Sequence, residues 1–140
     1  MMKVTVAYWS GTGNTEKMAH AVAGGAGTQA LRIGDLTPEQ ALRDGVLALG
    51  CPSMGDEVLE ENEMEPFVAA LENSPAAKGV KLALFGSYGW GDGKWMRDWQ
   101  ERMKKAGFIL AHDALIVQGE PDAEGLLACK NLGAALAAAN

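Results

Sequence analysis

Cysteine is scarce in this chain: Cys51 and Cys129 are the two thiols in 140 residues, and neither has metal-ligand spacing to a partner. That excludes a disulfide framework or a zinc module, and free buried thiols in a cytoplasmic protein are expected. Histidine is equally rare, and His20 and His112 lack partners nearby in sequence. Surface or loop positions are expected for both, not catalytic ones. No apolar run approaches the roughly 18 residues of a membrane span. The N-terminus leads straight into a strand pattern, so no secretory leader is expected. Basic residues are outnumbered, 12 Lys and Arg against 18 Asp and Glu, for a net charge of −6. That balance argues against nucleic acid or an anionic membrane as partner and favours basic proteins. Repeats, low-complexity tracts, linkers, acid–base pairs and nucleophile–base sets are all missing. Residues 1–140 read as one domain with one buried core.

Glycine is abundant, with 18 residues, and much of it falls in three short stretches. The first, Ser10-Gly11-Thr12-Gly13-Asn14-Thr15, lies between an apolar strand at 4–9 and a helix beginning near Glu16. Backbone N–H groups and the helix dipole converge there, which suits a phosphate. A Walker loop would need Gly-Lys where Gly13-Asn14 stands, and a dinucleotide fingerprint would need glycine at Glu16. Asp35, about 20 residues on, imitates a ribose-binding acid by coincidence. What remains is a loop of neutral donors, with Ser10, Thr12 and Thr15 offering hydroxyls and Asn14 an amide. Such a set suits a terminal monoester phosphate. The plainer alternative is a Gly-rich turn before a capped helix.

Elsewhere strands and helices alternate. Strands are expected at 28–33, 46–50 and 80–86, with a fifth split into 108–110 and 115–117. The first helix is expected to stop near Gly24-Gly25. Thr37-Pro38 with Gln40 reads as a capping box, and the helix it starts as ending at Gly45. Further helices are expected at 63–73, 93–106 and 123–139. Trp95 and Trp99, four apart on a helix, read as packing residues, as does Trp9. Alternation of this kind means a doubly wound α/β protein with a parallel sheet covered on both faces. Ligands of such sheets sit beyond the strand C-termini.

Residues 8–16, Tyr-Trp-Ser-Gly-Thr-Gly-Asn-Thr-Glu, resemble the FMN-phosphate loop of flavodoxins. Two more family segments follow in order, Met54-Gly55-Asp56-Glu57 and Gly86-Ser87-Tyr88-Gly89-Trp90-Gly91-Asp92-Gly93. The resemblance covers nearly the whole chain and is strongest to short-chain flavodoxins of anaerobic bacteria. It implies a five-stranded sheet in the order 2-1-3-4-5 and bound FMN. The flavin ring would lie between Met54 and Trp90, with Ser53 and the small residues Ser87, Gly89, Gly91 and Gly93 close to it. Gly55 matches the family position whose peptide rotates toward flavin N5, favouring the neutral semiquinone. Glu57 matches the acid that accepts from flavin N3–H, though from the residues alone it equally reads as a solvated carboxylate. Asp56, Glu57, Glu60, Glu61, Glu63 and Glu65 crowd one segment with no base among them, and Asp92 lies in the opposing loop. Those acids would disfavour an anionic hydroquinone and steer basic reductases or dehydrogenases. The expectation is a monomeric low-potential one-electron carrier. A quinone reductase of the same fold would need room over the ring, and a receiver domain would need acids after its first and third strands. An FMN-binding activator of ribonucleotide reductase stays open.

Overall fold

The computed structural model describes residues 3–138. Largely apolar runs form the central strands β1 (Thr5–Tyr8), β3 (Val46–Gly50) and β4 (Lys81–Tyr88). A short β2 (Ala30–Arg32) flanks β1. The fifth lane is made of two pieces, β5 (Ile109–Leu110) and β6 (Leu115–Gln118). β5 pairs with residues 81–82 of β4 and β6 with residues 85–88, so the pair acts as one interrupted strand. All pairings between these strands are parallel, in the order β2-β1-β3-β4 and then the fifth lane. This is the expected order. The helices are α1 (Asn14–Ala26), α2 (Pro38–Leu42), α3 (Met64–Glu72), α4 (Lys94–Lys105) and α5 (Ala123–Ala138).

Side chains alternate across a strand, so a wholly apolar strand needs cover on both sides. Val6, Tyr8, Ala48, Ala83 and Phe85 pack with Met18 and Val22 of α1 and Cys129 and Leu132 of α5. Ala7, Leu47, Leu49, Leu82 and Leu84 face the other way, against Phe67 and Leu71 of α3 and Trp95 and Trp99 of α4. Both cysteines are free and buried, and burial pushes the Cys51 thiol up to about 12.

Boundaries differ from expectation in instructive places. β2 is shorter than residues 28–33 because the chain turns into a 3-10 helix at Ile33–Asp35. α2 keeps its capping box, with Thr37 and Gln40 bonded both ways at 2.8 and 3.1 Å, but ends at Leu42, before Gly45. The last helix reaches Ala138, and residue 139 lies outside the described residues. α1 starts two residues early and runs through Gly24-Gly25, capped by Gly27. A Cβ at Gly25 would collide with the backbone carbonyl of Lys130, and one at Gly133 with that of Val22. These glycines therefore bring α1 and α5 together. Alanine normally strengthens a helix at a glycine by up to about 1 kcal/mol. Gly25→Ala should instead destabilise by about 1–3 kcal/mol through overpacking. A thermal melt checks this, and a raised Tm would contradict it.

Candidate functional site

The loops after β1, β3 and β4 meet at the C-terminal end of the sheet. The β1 loop feeds α1 through Gly13, whose φ of 99° makes a left-handed N-cap. Ser10 Oγ accepts the N–H groups of Gly13 and Glu16, both at 3.2 Å, which curls the loop around it and leaves its O–H to donate. Thr15 is buried, and its Oγ1 accepts the Ser87 N–H at 3.4 Å, tying the loop to β4. The backbone N–H groups of Gly11, Thr12, Asn14 and Thr15 have no partner among the described residues. Four unpaired donors at one helix N-terminus fit a phosphate monoester.

The β3 loop carries a tight hairpin. Met54 and Val58 exchange backbone hydrogen bonds at 2.9 Å, leaving Gly55-Asp56-Glu57 at the tip. Gly55 sits at φ 47° and Glu57 at φ 59°. A side chain in that region costs energy, so Glu57 needs compensation. It comes from the β4 loop, where Glu57 Oε1 accepts the N–H groups of Gly93 and Lys94 at 3.2 and 3.0 Å. Glu57 thus caps α4, whose N-cap Gly93 offers no side chain of its own. A Cβ at Gly91 would strike the Glu57 carboxylate.

Between the loops lies a cleft of about 250 Å³. Gly11, Thr12 and Asn14 line it from the β1 loop, Ser53 and Met54 from the β3 loop, and Ser87, Tyr88 and Gly89 from β4 and its loop. Gly55, Asp56 and Glu57 form the neighbouring hairpin tip, and Trp90, Gly91, Asp92 and Gly93 continue the β4 loop. Trp90 is 64% exposed, an unusual position for a tryptophan in a polar loop. The unpaired donors and the apolar Met54 on one cleft suit FMN in chemistry.

The acids do not form one uniform rim. Arg102, distant in sequence, grips Glu65 in two bonds of 2.7 and 2.8 Å and also holds Glu72. Arg97 pairs with Asp92 at 3.0 Å and holds its carboxyl below the usual range. Glu60 is buried and accepts the N–H groups of Asn62, Glu63 and Met64 at 2.8–2.9 Å, capping α3. Burial pushes its carboxyl up, but those backbone bonds outweigh it and hold the group low. Of the seven acids singled out, only Asp56 and Glu61 are exposed without a partner.

Three further residues line the cleft, Trp9, Pro52 and Gly119. Gly119 is placed by its N–H on the Tyr88 carbonyl at 2.8 Å and by Ser87 Oγ donating to its carbonyl at 2.7 Å. A turn after the last strand must emerge at the same end of a parallel sheet, which is the signal that points to it. Asp35, in the turn after β2, faces a separate hollow with Ser10 and Arg32.

The flavodoxin family model matches residues 6–133. A flavodoxin of Clostridium beijerinckii is 52% identical over 84% of this chain and 87% of its own length. One from Megasphaera elsdenii is 41% identical over 97% of this chain and 99% of its own. The solution structure of two-electron reduced Megasphaera elsdenii flavodoxin superposes with a TM-score of 0.85 at 42% identity, covering 97% of this chain and 99% of that one. The chain belongs to the flavodoxin family of FMN-binding electron carriers.

Proposed function

We propose that this chain acts as a single-domain, monomeric cytoplasmic carrier of one electron at a time, at low potential, for basic redox partner proteins. The observation that carries the reading is the set of four unpaired N–H donors in a loop that lines a cleft shared with Met54, with the exposed Trp90 directly following the lining residue Gly89. The phosphate would take the N–H groups of Gly11, Thr12, Asn14 and Thr15, with the side chains of Thr12 and Asn14 beside it. The ring would lie between Met54 and Trp90, near Ser53, Ser87, Tyr88 and Gly89. Bound FMN would supply the one-electron chemistry, mainly between its neutral semiquinone and anionic hydroquinone forms. The chain supplies what selects those states: the Gly55 peptide at the N5 edge, Glu57 near the pyrimidine edge, and negative charge around both. Glu57 has two N–H groups on one oxygen, which leaves its other oxygen for a further donor.

FMN-loaded protein should not oxidise NADPH with a quinone unless a separate reductase is added. Direct turnover by the pure protein would favour a quinone reductase instead.

The charge account is best tested at Asp56 and Glu61, since Glu60 and Glu63 also hold structure. A unit charge about 8 Å away in water-like dielectric contributes about 0.5 kcal/mol, or about 20 mV. Asp56→Asn with Glu61→Gln should raise the second-electron potential by about 40 mV at low salt, and by less at high salt. A potential unmoved at low ionic strength would count against electrostatic control.

A further inference from the structure

Gln118 closes β6 directly opposite Tyr88, the last residue of β4. In a parallel strand successive carbonyls turn to opposite neighbours. Ser87 O takes the Ser53 N–H at 3.0 Å on the β3 side, and Tyr88 O takes the Gly119 N–H at 2.8 Å on the β6 side. Alternation would send the Gly89 carbonyl back toward β3. Instead Gln118 Nε2 donates to it at 3.2 Å and holds it from β6. Nothing stands within 4 Å of the place a Gly89 Cβ would take, so packing does not fix this peptide. A trans peptide carries its C=O and N–H on opposite sides. With two successive carbonyls held from β6, the N–H groups of Gly89 and Trp90 both turn toward the side of β4 on which the β3 loop lies. Neither has a partner among the described residues. Gly89 and Ser53 line one cleft, and Gln118 itself does not.

We propose that Gln118 is a positioning residue that aims the Trp90 N–H beside that of Gly89, so that the pair receives the flavin carbonyl at C2. The inference rests on the FMN reading above, which sets the Gly55 peptide at N5 and Glu57 at N3–H. The C4 carbonyl adjoins N5, and the C2 carbonyl lies on the far side of N3. The donors of the β4 loop are then left for C2. Two convergent backbone donors stabilise an oxygen more as its negative charge grows. Without the Gln118 amide the Gly89–Trp90 peptide is free to turn, and a carbonyl facing C2 repels where an N–H attracts. The effect therefore belongs chiefly to the second electron, which leaves the ring anionic.

Gln118 is exposed, so replacing it spares the core. Gln118→Met keeps the length of the side chain and removes the donor without adding charge. The full, flavin-stripped chain is titrated by fluorescence quenching with FMN and with 2-thio-FMN, whose sulfur is a poor acceptor in place of the C2 oxygen. The variant should bind FMN about fivefold more weakly than wild type, the net worth of one hydrogen bond. For 2-thio-FMN the two proteins should agree within about twofold. In the FMN-loaded variant the second-electron potential should fall by about 40 mV, a further fivefold at 59 mV per factor of ten, and the first by less than about half as much. A loss shared equally by the two flavins, or potentials that do not move, would make Gln118 a general brace of the loop and overturn the aiming role. Equal FMN affinities in wild type and variant would overturn it too, and leave the carrier reading standing. Failure of the wild type to bind FMN at all would overturn that reading itself.

Discussion

Replacing Gly55 with threonine is expected to lower the potential of the first electron by about 40–90 mV, the equivalent of about 1–2 kcal/mol. Gly55 occupies φ 47° at the tip of a hairpin whose base is pinned by paired Met54–Val58 bonds. The base cannot yield without breaking those bonds, so conformational change is confined to the tip. Rotation of the Gly55–Asp56 peptide alters ψ of Gly55 and φ of Asp56 while leaving the flanking chain in place. A glycine tolerates both the starting and the final geometry. Threonine is β-branched and strained at positive φ whatever space is available, and Gly55 has open space around its Cα. The cost is therefore conformational, not steric. At positive φ a side chain is tolerated only near the left-handed helical ψ, so turning the peptide would put the cost on the state in which the carbonyl faces a protonated flavin N5. Redox titration of the variant checks this, and an unchanged first potential would refute the peptide switch.

Removing the Glu60 carboxylate should cost about 2–3 kcal/mol of folding stability at neutral pH. Three backbone donors at the start of α3 depend on that one buried side chain. Deleting it as Glu60→Ala leaves the buried Met64 donor unsatisfied and the part-buried donors of Asn62 and Glu63 with water alone. Glu60→Gln replaces one acceptor oxygen with an NH2 group that faces donors, so it should be destabilised too. The pH dependence separates these bonds from simple packing. Folding lowers the carboxyl's pKa, so its contribution is complete above the unfolded value of about 4.3 and is lost as pH falls through the lower folded value. The gap between wild type and Glu60→Gln should be full at pH 7 and close in acid below about pH 4. A gap that persists undiminished into acid would mean the carboxylate's charge is not what matters. Because Glu60 also supports Glu63, its loss should loosen the hairpin and weaken flavin binding.

Much of this architecture is legible in the chain itself, and the pattern of what is not has a physical cause. Val46 to Gly50 is apolar at every position, which only a strand buried on both faces explains. The three loops proposed to hold the cofactor announce themselves through local chemistry, as glycines, hydroxyls and a tryptophan where a soluble protein would otherwise place polar residues. What local chemistry cannot supply is the identity of a distant partner. Glu65 and Arg102 lie 37 positions apart, so the acidic segment reads as unrelieved until the fold brings the guanidinium in. Gly25 reads as a helix stop because its contact with Lys130 comes from the far end of the chain. Ser10 reads as a ligand donor, and the sequence does not show that its oxygen also accepts two N–H groups of its own loop. Trp9 reads as packing, and only the positions of Gly11 and Glu63 give its indole a place in the site.

The most direct test of the carrier account is a reductive titration of the FMN-loaded protein followed by its visible spectrum. The account predicts two well-separated one-electron steps, with a long-wavelength band that rises to a maximum near one electron per flavin and then fades at markedly lower potential. Bleaching in a single two-electron step, with no long-wavelength intermediate at any point, would contradict it.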